Sequence, residues 1–224
     1  MKKFLKIDGV VFDLDYTIYD EHLYFYGVFE HFCNQQNLTH IIESMKISFV
    51  SFRAKSKDIF KDILIENGFE EGDTILELRD KLFDIYVSIE HPIKPYRDAI
   101  DLIRFFKKKK IKLGLLTNGN IKAQRNKVNC LSIADYFDEI LYAREVGEGK
   151  EKPNIKPFKT ISDKLKIPGT RLLFIGDNPK NDFKGPKLID SHTVRLKRGI
   201  YCNLESNEFI DVEVNSLKDV KRLF

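Results

Sequence analysis

The chain has 224 residues, 42% of them hydrophobic, with 18 Phe and no Trp, which is enough apolar mass for a sizeable core in one or two domains. A net charge of +4 is too small a surplus to argue for a nucleic-acid partner, and no apolar run approaches the length of a membrane span. Asp8, Asp13 and Asp15 interrupt the N-terminal segment too early for a signal peptide, and Cys33, Cys130 and Cys202 have neither disulfide-framework nor metal-ligand spacing, so the expected setting is cytoplasmic and reducing.

The first predicted element is a buried strand over Gly9 to Phe12, whose exit carries Asp13 and Asp15. Two carboxylates one residue apart, just past a strand end, can reach one small volume. They repel unless something positive sits between them, and a divalent cation with oxygen ligands meets that need. The stretch 19–92 then shows helical periodicity and no strand signal, with apolar positions such as Ile59, Ile63 and Leu64. Within it, Thr74 to Ser88 is predicted as one helix, with Thr74 or Asp73 as N-cap. So long a connection is unusual in a compact α/β core, so 19–92 is expected to form a small all-helical module, a lid. The core then comprises 1–18 and 93–224.

A helix is predicted over Asp98 to Lys108, and Lys107 to Lys110 with Lys112 reads as its solvated C-terminus, where cations complement the helix dipole. A strand over Ile111 to Leu116 runs into Thr117-Asn118-Gly119. Lys152-Pro153 precedes a helix over Asn154 to Leu165. A strand over Arg171 to Ile175 runs into Gly176-Asp177-Asn178-Pro179-Lys180-Asn181-Asp182. A helix follows over Asn181 to Leu188, which Gly185 and Pro186 would kink or shorten, and the last predicted strand is Ser191 to Leu196. Strands alternating with helices predict a doubly wound parallel α/β sheet, in which ligands bind at the carboxyl ends of the strands. The polar strand exits above fall there.

Together these residues supply what phosphoryl transfer through an enzyme carboxylate needs. One carboxylate can be the nucleophile, and a second can move a proton to the leaving oxygen and later from water. A hydroxyl, backbone amides and a lysine can hold phosphoryl oxygens, and further acids can seat Mg²⁺. In this order the segments resemble the four motifs of the haloacid dehalogenase-like (HAD) hydrolase superfamily. Asp13-Leu14-Asp15-Tyr16-Thr17 resembles the first and Leu115-Leu116-Thr117-Asn118-Gly119 the second. Glu151-Lys152-Pro153 with Phe158 resembles the third, and Phe174 to Asp182 the fourth.

The resemblance implies a Rossmann-like core with a helical first-type cap. It implies Asp13 as nucleophile and metal ligand, and Asp15 as acid/base that also gives a backbone carbonyl to the metal. Thr117 and the Asn118 amide would bind phosphate, Lys152 would neutralise nucleophile and phosphoryl group, and Asp177 and Asp182 would serve Mg²⁺. Lys150 and Lys156 are alternatives to Lys152. Tyr16, where a small or polar residue is usual, would either touch substrate or pack under the lid, and Asp190 replaces a common glycine but can adopt the same left-handed backbone. Asp15 favours phosphate chemistry over carbon–halogen cleavage, which leaves no alkoxide to protonate. The implied activity is a Mg²⁺-dependent phosphatase of a small phosphorylated metabolite, such as a sugar phosphate or nucleotide. A phosphomutase on the same core is the alternative, and a non-catalytic phosphate-binding or regulatory protein a weaker one. A monomer or homodimer, with no nucleic-acid or membrane partner, is the expected state.

Overall fold

The computed structural model describes Phe4 and residues 6–224. The chain divides into two compact units, Met1–Asp20 with Lys94–Phe224, and Glu21–Ile93.

The first unit is built on a parallel sheet of six strands in the order β3-β2-β1-β4-β5-β6. β1 is Gly9–Phe12, β2 Lys112–Thr117, β3 Glu139–Tyr142, β4 Leu172–Gly176, β5 His192–Leu196 and β6 Val212–Val214. β1 is central, pairing with β2 from Gly9↔Lys112 and with β4 from Gly9↔Leu172. A strand covered on both faces needs a continuous apolar run, which is what Val10-Val11-Phe12 supplies. Successive side chains point to opposite faces. Val11 joins a cluster with Leu116, Phe158, Ile161, Leu165 and Phe174 under α7 (Ile155–Leu165). Phe12 instead meets Phe106 of α5 (Arg97–Lys108) at 6.4 Å between ring centroids.

The edge strands β3 and β6 were not anticipated. Each pairs along one side only, and residues such as Glu139 and Glu213 break their apolar runs. The helix expected over Asn181 to Leu188 shortens to α8, Lys184–Lys187. The segment before it closes a turn on Asn178, whose carbonyl accepts from the amides of Asn181 and Asp182. Asp190 has φ 60°, the left-handed backbone expected of it. Between these elements lie α6 (Ile121–Leu131) and, near the C-terminus, α9 (Leu217–Val220).

The second unit is all-helical: α1 Glu21–Gln36, α2 Ile42–Phe52, α3 Ile59–Glu66 and α4 Asp73–Ser88. Its core is aromatic. The Phe25 ring stacks on Phe49 at 4.3 Å and on Tyr86 at 5.1 Å, and the Tyr24 hydroxyl donates to the Tyr86 carbonyl at 2.7 Å. Burial of the Glu21 carboxylate is compensated by a two-pronged bond from Arg53 at 2.8 and 2.9 Å. The N-cap of α4 is Gly72, one residue before Asp73 and two before Thr74, the two expected caps. Asp73 lies in the first turn, where its charge favours the helix N-terminus. Among the described residues no helix is long and apolar enough to cross a membrane.

Candidate active site

The site grows from the carboxyl end of β1. The Asp13 amide donates to the Ile175 carbonyl at 2.9 Å, which carries the pairing with β4 one residue past the strand and fixes where Asp13 points. The carboxylate meets the Lys152 ammonium at 2.6 Å, and the same ammonium meets Asp182 at 2.7 Å. Lys152 reaches there because Asn118 clamps its backbone. The Asn118 amide group donates to the Lys152 carbonyl at 2.9 Å, and its oxygen accepts from the Lys152 N–H at 3.0 Å. Of the three candidate lysines, Lys152 is the one whose described contacts include Asp13 and Asp182. Lys150 is exposed, and Lys156 donates to the Val146 carbonyl.

Asp182 is positioned in turn by the Asn178 amide, which donates to it at 2.9 Å. It lies directly over Gly176, where a Cβ would fall 2.5 Å from its carboxylate oxygen. Any side chain at 176 would push Asp182 away. Asp177 is buried, and its Oδ2 has no hydrogen-bond partner among the described residues. Asp13, Asp177 and Asp182 each offer an oxygen, and these oxygens lie within 4.8 Å of one another.

Burial, reinforced by the charges of Asp182 and Asp15 and opposed by Lys152, pushes the Asp13 carboxyl up to about 7. Burial and the Asp13 and Asp182 charges raise Asp177 well above the ordinary carboxylate range. Lys152, which burial alone would lower, is raised because Asp13 and Asp182 outweigh it. One lysine thus faces three clustered acids. A cluster with surplus negative charge and an oxygen lacking a donor fits a hard divalent cation, which takes oxygen ligands and cancels like-charge repulsion.

Asp15 stands apart from that cluster, held by donors. Its Oδ1 accepts from the Tyr19 hydroxyl at 2.8 Å and the Lys127 ammonium at 2.9 Å, and its Oδ2 accepts from the Gln124 amide at 2.8 Å. The Gln124 amide also donates to the Thr117 hydroxyl at 2.6 Å. Gln124 and Lys127 come from the buried side of α6, whose start is fixed by Asn120 capping the amides of Lys122 and Ala123. The sequence reading assigned these donors no part in holding Asp15. The available signal was a glutamine and a lysine three residues apart, interrupting the apolar side of the helix that follows Gly119.

Asp13, Lys152, Asp177 and Asp182 are thus brought together at the ends of β1 and β4, with Asp15 and Thr117 joined through Gln124. Of the two readings of Tyr16, contact with substrate or packing, the described contacts include packing: it has a left-handed backbone, φ 56°, and is buried, with neighbours in the α/β unit. A Cβ at Gly199 would lie 2.4 Å from its ring, and Tyr201 meets it edge-on at 6.5 Å. The positive φ turns this side chain toward those neighbours.

Residues 10–195 match the family model described as haloacid dehalogenase-like hydrolase. The glyceraldehyde 3-phosphate phosphatase of Methanocaldococcus jannaschii is 25% identical over 96% of this chain and 95% of its own length. The (S)-2-haloacid dehalogenase of Pseudomonas sp. strain YL is 24% identical over 97% of this chain and 94% of its own. Among solved structures, the HAD-hydrolase YfnB of Bacillus subtilis, crystallised bound to magnesium, superposes with a TM-score of 0.73. It is 20% identical, with 98% of this chain and 99% of that one covered.

Proposed function

The chain belongs to the haloacid dehalogenase-like hydrolases, and on that premise we propose that it is a Mg²⁺-dependent phosphatase of a small phosphate monoester. The observation that carries this reading is a division of labour between two carboxylates. Asp13 sits in a surplus of acid with one lysine, while Asp15 is held outside it by Tyr19, Lys127 and Gln124. A nucleophile beside a cation site and a separate proton carrier is what cleavage of a phosphate ester asks for. A carbon–halogen bond releases halide, which needs no proton to leave.

Asp13 attacks phosphorus and the bond to the ester oxygen breaks, leaving the phosphoryl group on the Asp13 carboxylate. Asp15 gives its proton to the departing alkoxide. It then takes a proton from water, whose oxygen attacks the same phosphorus and restores Asp13. The Lys152 ammonium, already at hydrogen-bond distance from Asp13, balances the charge of nucleophile and phosphoryl group. The Thr117 hydroxyl and the Asn118 backbone amide hold phosphoryl oxygens. Asp13, Asp177 and Asp182, with the Asp15 carbonyl, are the residues that would hold Mg²⁺. When bound, the ion would lower the repulsion between an anionic substrate and an anionic nucleophile.

The full-length similarity to a glyceraldehyde 3-phosphate phosphatase supports a small phosphorylated metabolite as substrate. The helical unit, 21–93, is proposed as the cap that chooses among such metabolites. The test is phosphate release from an aryl phosphate and from a panel of sugar and nucleotide phosphates, with Mg²⁺ and with chelator, alongside halide release from a 2-haloacid. Mg²⁺-dependent phosphate release that disappears in Asp13→Asn is the expected result. Halide release without phosphate release would overturn the reading.

A further inference from the structure

Lys127 is one of the buried residues of α6, with Ala123, Gln124, Val128 and Leu131, and has none of its surface exposed. Taking a charge out of water costs several kcal/mol, and an apolar side chain of similar length at such a place is usually as stable or more so. The requirement that the chain fold therefore gives no reason for a lysine there. Its bond to Asp15 gives one. Lys127 lies 2.9 Å from Oδ1 of Asp15, and Gln124, one turn earlier on the same side of the helix, lies 2.8 Å from Oδ2. The Gln124 amide nitrogen has two hydrogens, and its contacts with Asp15 and with Thr117 at 2.6 Å use both.

Resting on the phosphatase reading above, we infer that Lys127 and Gln124 are positioning residues through which α6 sets the reactive geometry of Asp15 relative to Thr117. A carboxylate offers about four acceptor sites. Tyr19 and Lys127 occupy both sites on Oδ1, and Gln124 occupies one on Oδ2. The remaining site is on Oδ2, so the proton given to the alkoxide, and later taken from water, travels on that oxygen. Because Gln124 also grips Thr117, the proton-carrying oxygen and the phosphate-binding hydroxyl are held by one side chain and keep a fixed separation. The bonds above join Lys127 and Gln124 to Asp15 and Thr117, outside the cluster of Asp13, Asp177 and Asp182. Their effect is on aim, not on cation binding.

The readout is the leaving-group dependence of kcat/KM, measured with Mg²⁺ on the whole chain. Para-nitrophenolate leaves without a proton, whereas an alkoxide does not. In Lys127→Met, hydrolysis of an alkyl phosphate should fall by about 10²-fold and that of para-nitrophenyl phosphate by no more than about threefold, and in Gln124→Leu, which also releases Thr117, the alkyl phosphate should lose at least about tenfold more than para-nitrophenyl phosphate. The Mg²⁺ concentration for half-maximal activity should not change, and Lys127→Arg should recover part of the alkyl phosphate activity. An equal loss on both substrates, as local unfolding would give, overturns the inference and leaves the phosphatase reading standing. No loss on either also overturns it. If the unaltered protein releases phosphate from neither substrate, the phosphatase reading itself fails and this inference with it. Should circular dichroism show that Lys127→Met does not fold, the ratio in Gln124→Leu, which removes no charge, decides alone.

Discussion

The α/β unit contains two buried carboxylate centres of opposite design. Asp98, in the first turn of α5, receives both guanidinium nitrogens of Arg198 at 3.2 and 2.5 Å, the Ser216 hydroxyl at 2.9 Å and the Leu217 amide at 3.0 Å. Burial pushes its carboxyl up, but these donors together outweigh burial and hold it below the usual carboxylate value. Arg198 is itself stacked over Tyr96 at 4.2 Å, so the acid ties α5 to the segment entering α9. Around Asp13 the balance is reversed. Acids outnumber donors, Asp177 keeps an oxygen without a partner among the described residues, and the carboxyls are raised. Saturating a buried acid makes a structural joint, and leaving several unsaturated keeps free energy available for a ligand.

Substitutions that remove the acid should separate the two centres sharply. Asp13→Asn is expected to lower phosphatase turnover by at least about 10³-fold while the protein stays folded, as steady-state kinetics and circular dichroism would record. Asp98→Ala is expected to do the converse. Leaving Arg198 without its partner should cost about 3 kcal/mol of stability in denaturant titrations, with Mg²⁺ dependence unaltered. A loss of Mg²⁺ dependence in Asp98→Ala would erase the distinction.

Proton linkage sharpens it further. The Asp98 carboxyl is depressed in the folded state, so its stabilisation is present above its unfolded value, about 3.9, and is lost as pH falls through the lower folded value. The raised acids have the opposite sign. In the metal-free protein the folded state holds extra protons between the unfolded value and the raised one, about 7 for Asp13. Stability from this centre therefore declines as pH rises through that window. Asp177→Asn should accordingly raise the metal-free melting temperature at about pH 8 and abolish the further rise given by Mg²⁺. In the unaltered chain the Mg²⁺-induced rise, followed by differential scanning fluorimetry, should be larger at about pH 8 than at about pH 5, because bound carboxylates must be deprotonated. A rise independent of pH would argue against the acid cluster as the binding site.

The two centres were not equally legible in the sequence. The acids of the Asp13 centre stand at the ends of continuous apolar runs, and buried parallel strands need such runs, so β1 and β4 and their polar exits could be read directly. Lys152 was separable from Lys150 and Lys156 only by its neighbour Pro153, and the Asn118 clamp that selects it is a contact across 34 positions. Asp98 could be read as the start of a helix but not as an ion-pair centre, because its partners lie 100 or more positions away, where sequence spacing carries no geometric information. The donors to Asp15 fall between these cases. Gln124 and Lys127 have helical spacing that could be read, but the carboxylate they hold is 109 and 112 positions distant. Tyr16 stayed open between substrate contact and packing because a positive φ at a non-glycine residue, which redirects a side chain, has little local signature. The edge strands escaped because pairing on one side allows short, charged segments.

The most direct test of the central claim, that the unsaturated centre makes Asp13 a phosphoryl acceptor, is to quench the enzyme in acid during turnover of a phosphate monoester and map the modified peptide by mass spectrometry. A phosphoryl group on the peptide containing Asp13, formed with Mg²⁺ and absent with chelator, is the predicted result. Turnover with no phosphoryl group on that peptide, or with one on a peptide lacking Asp13, would contradict it.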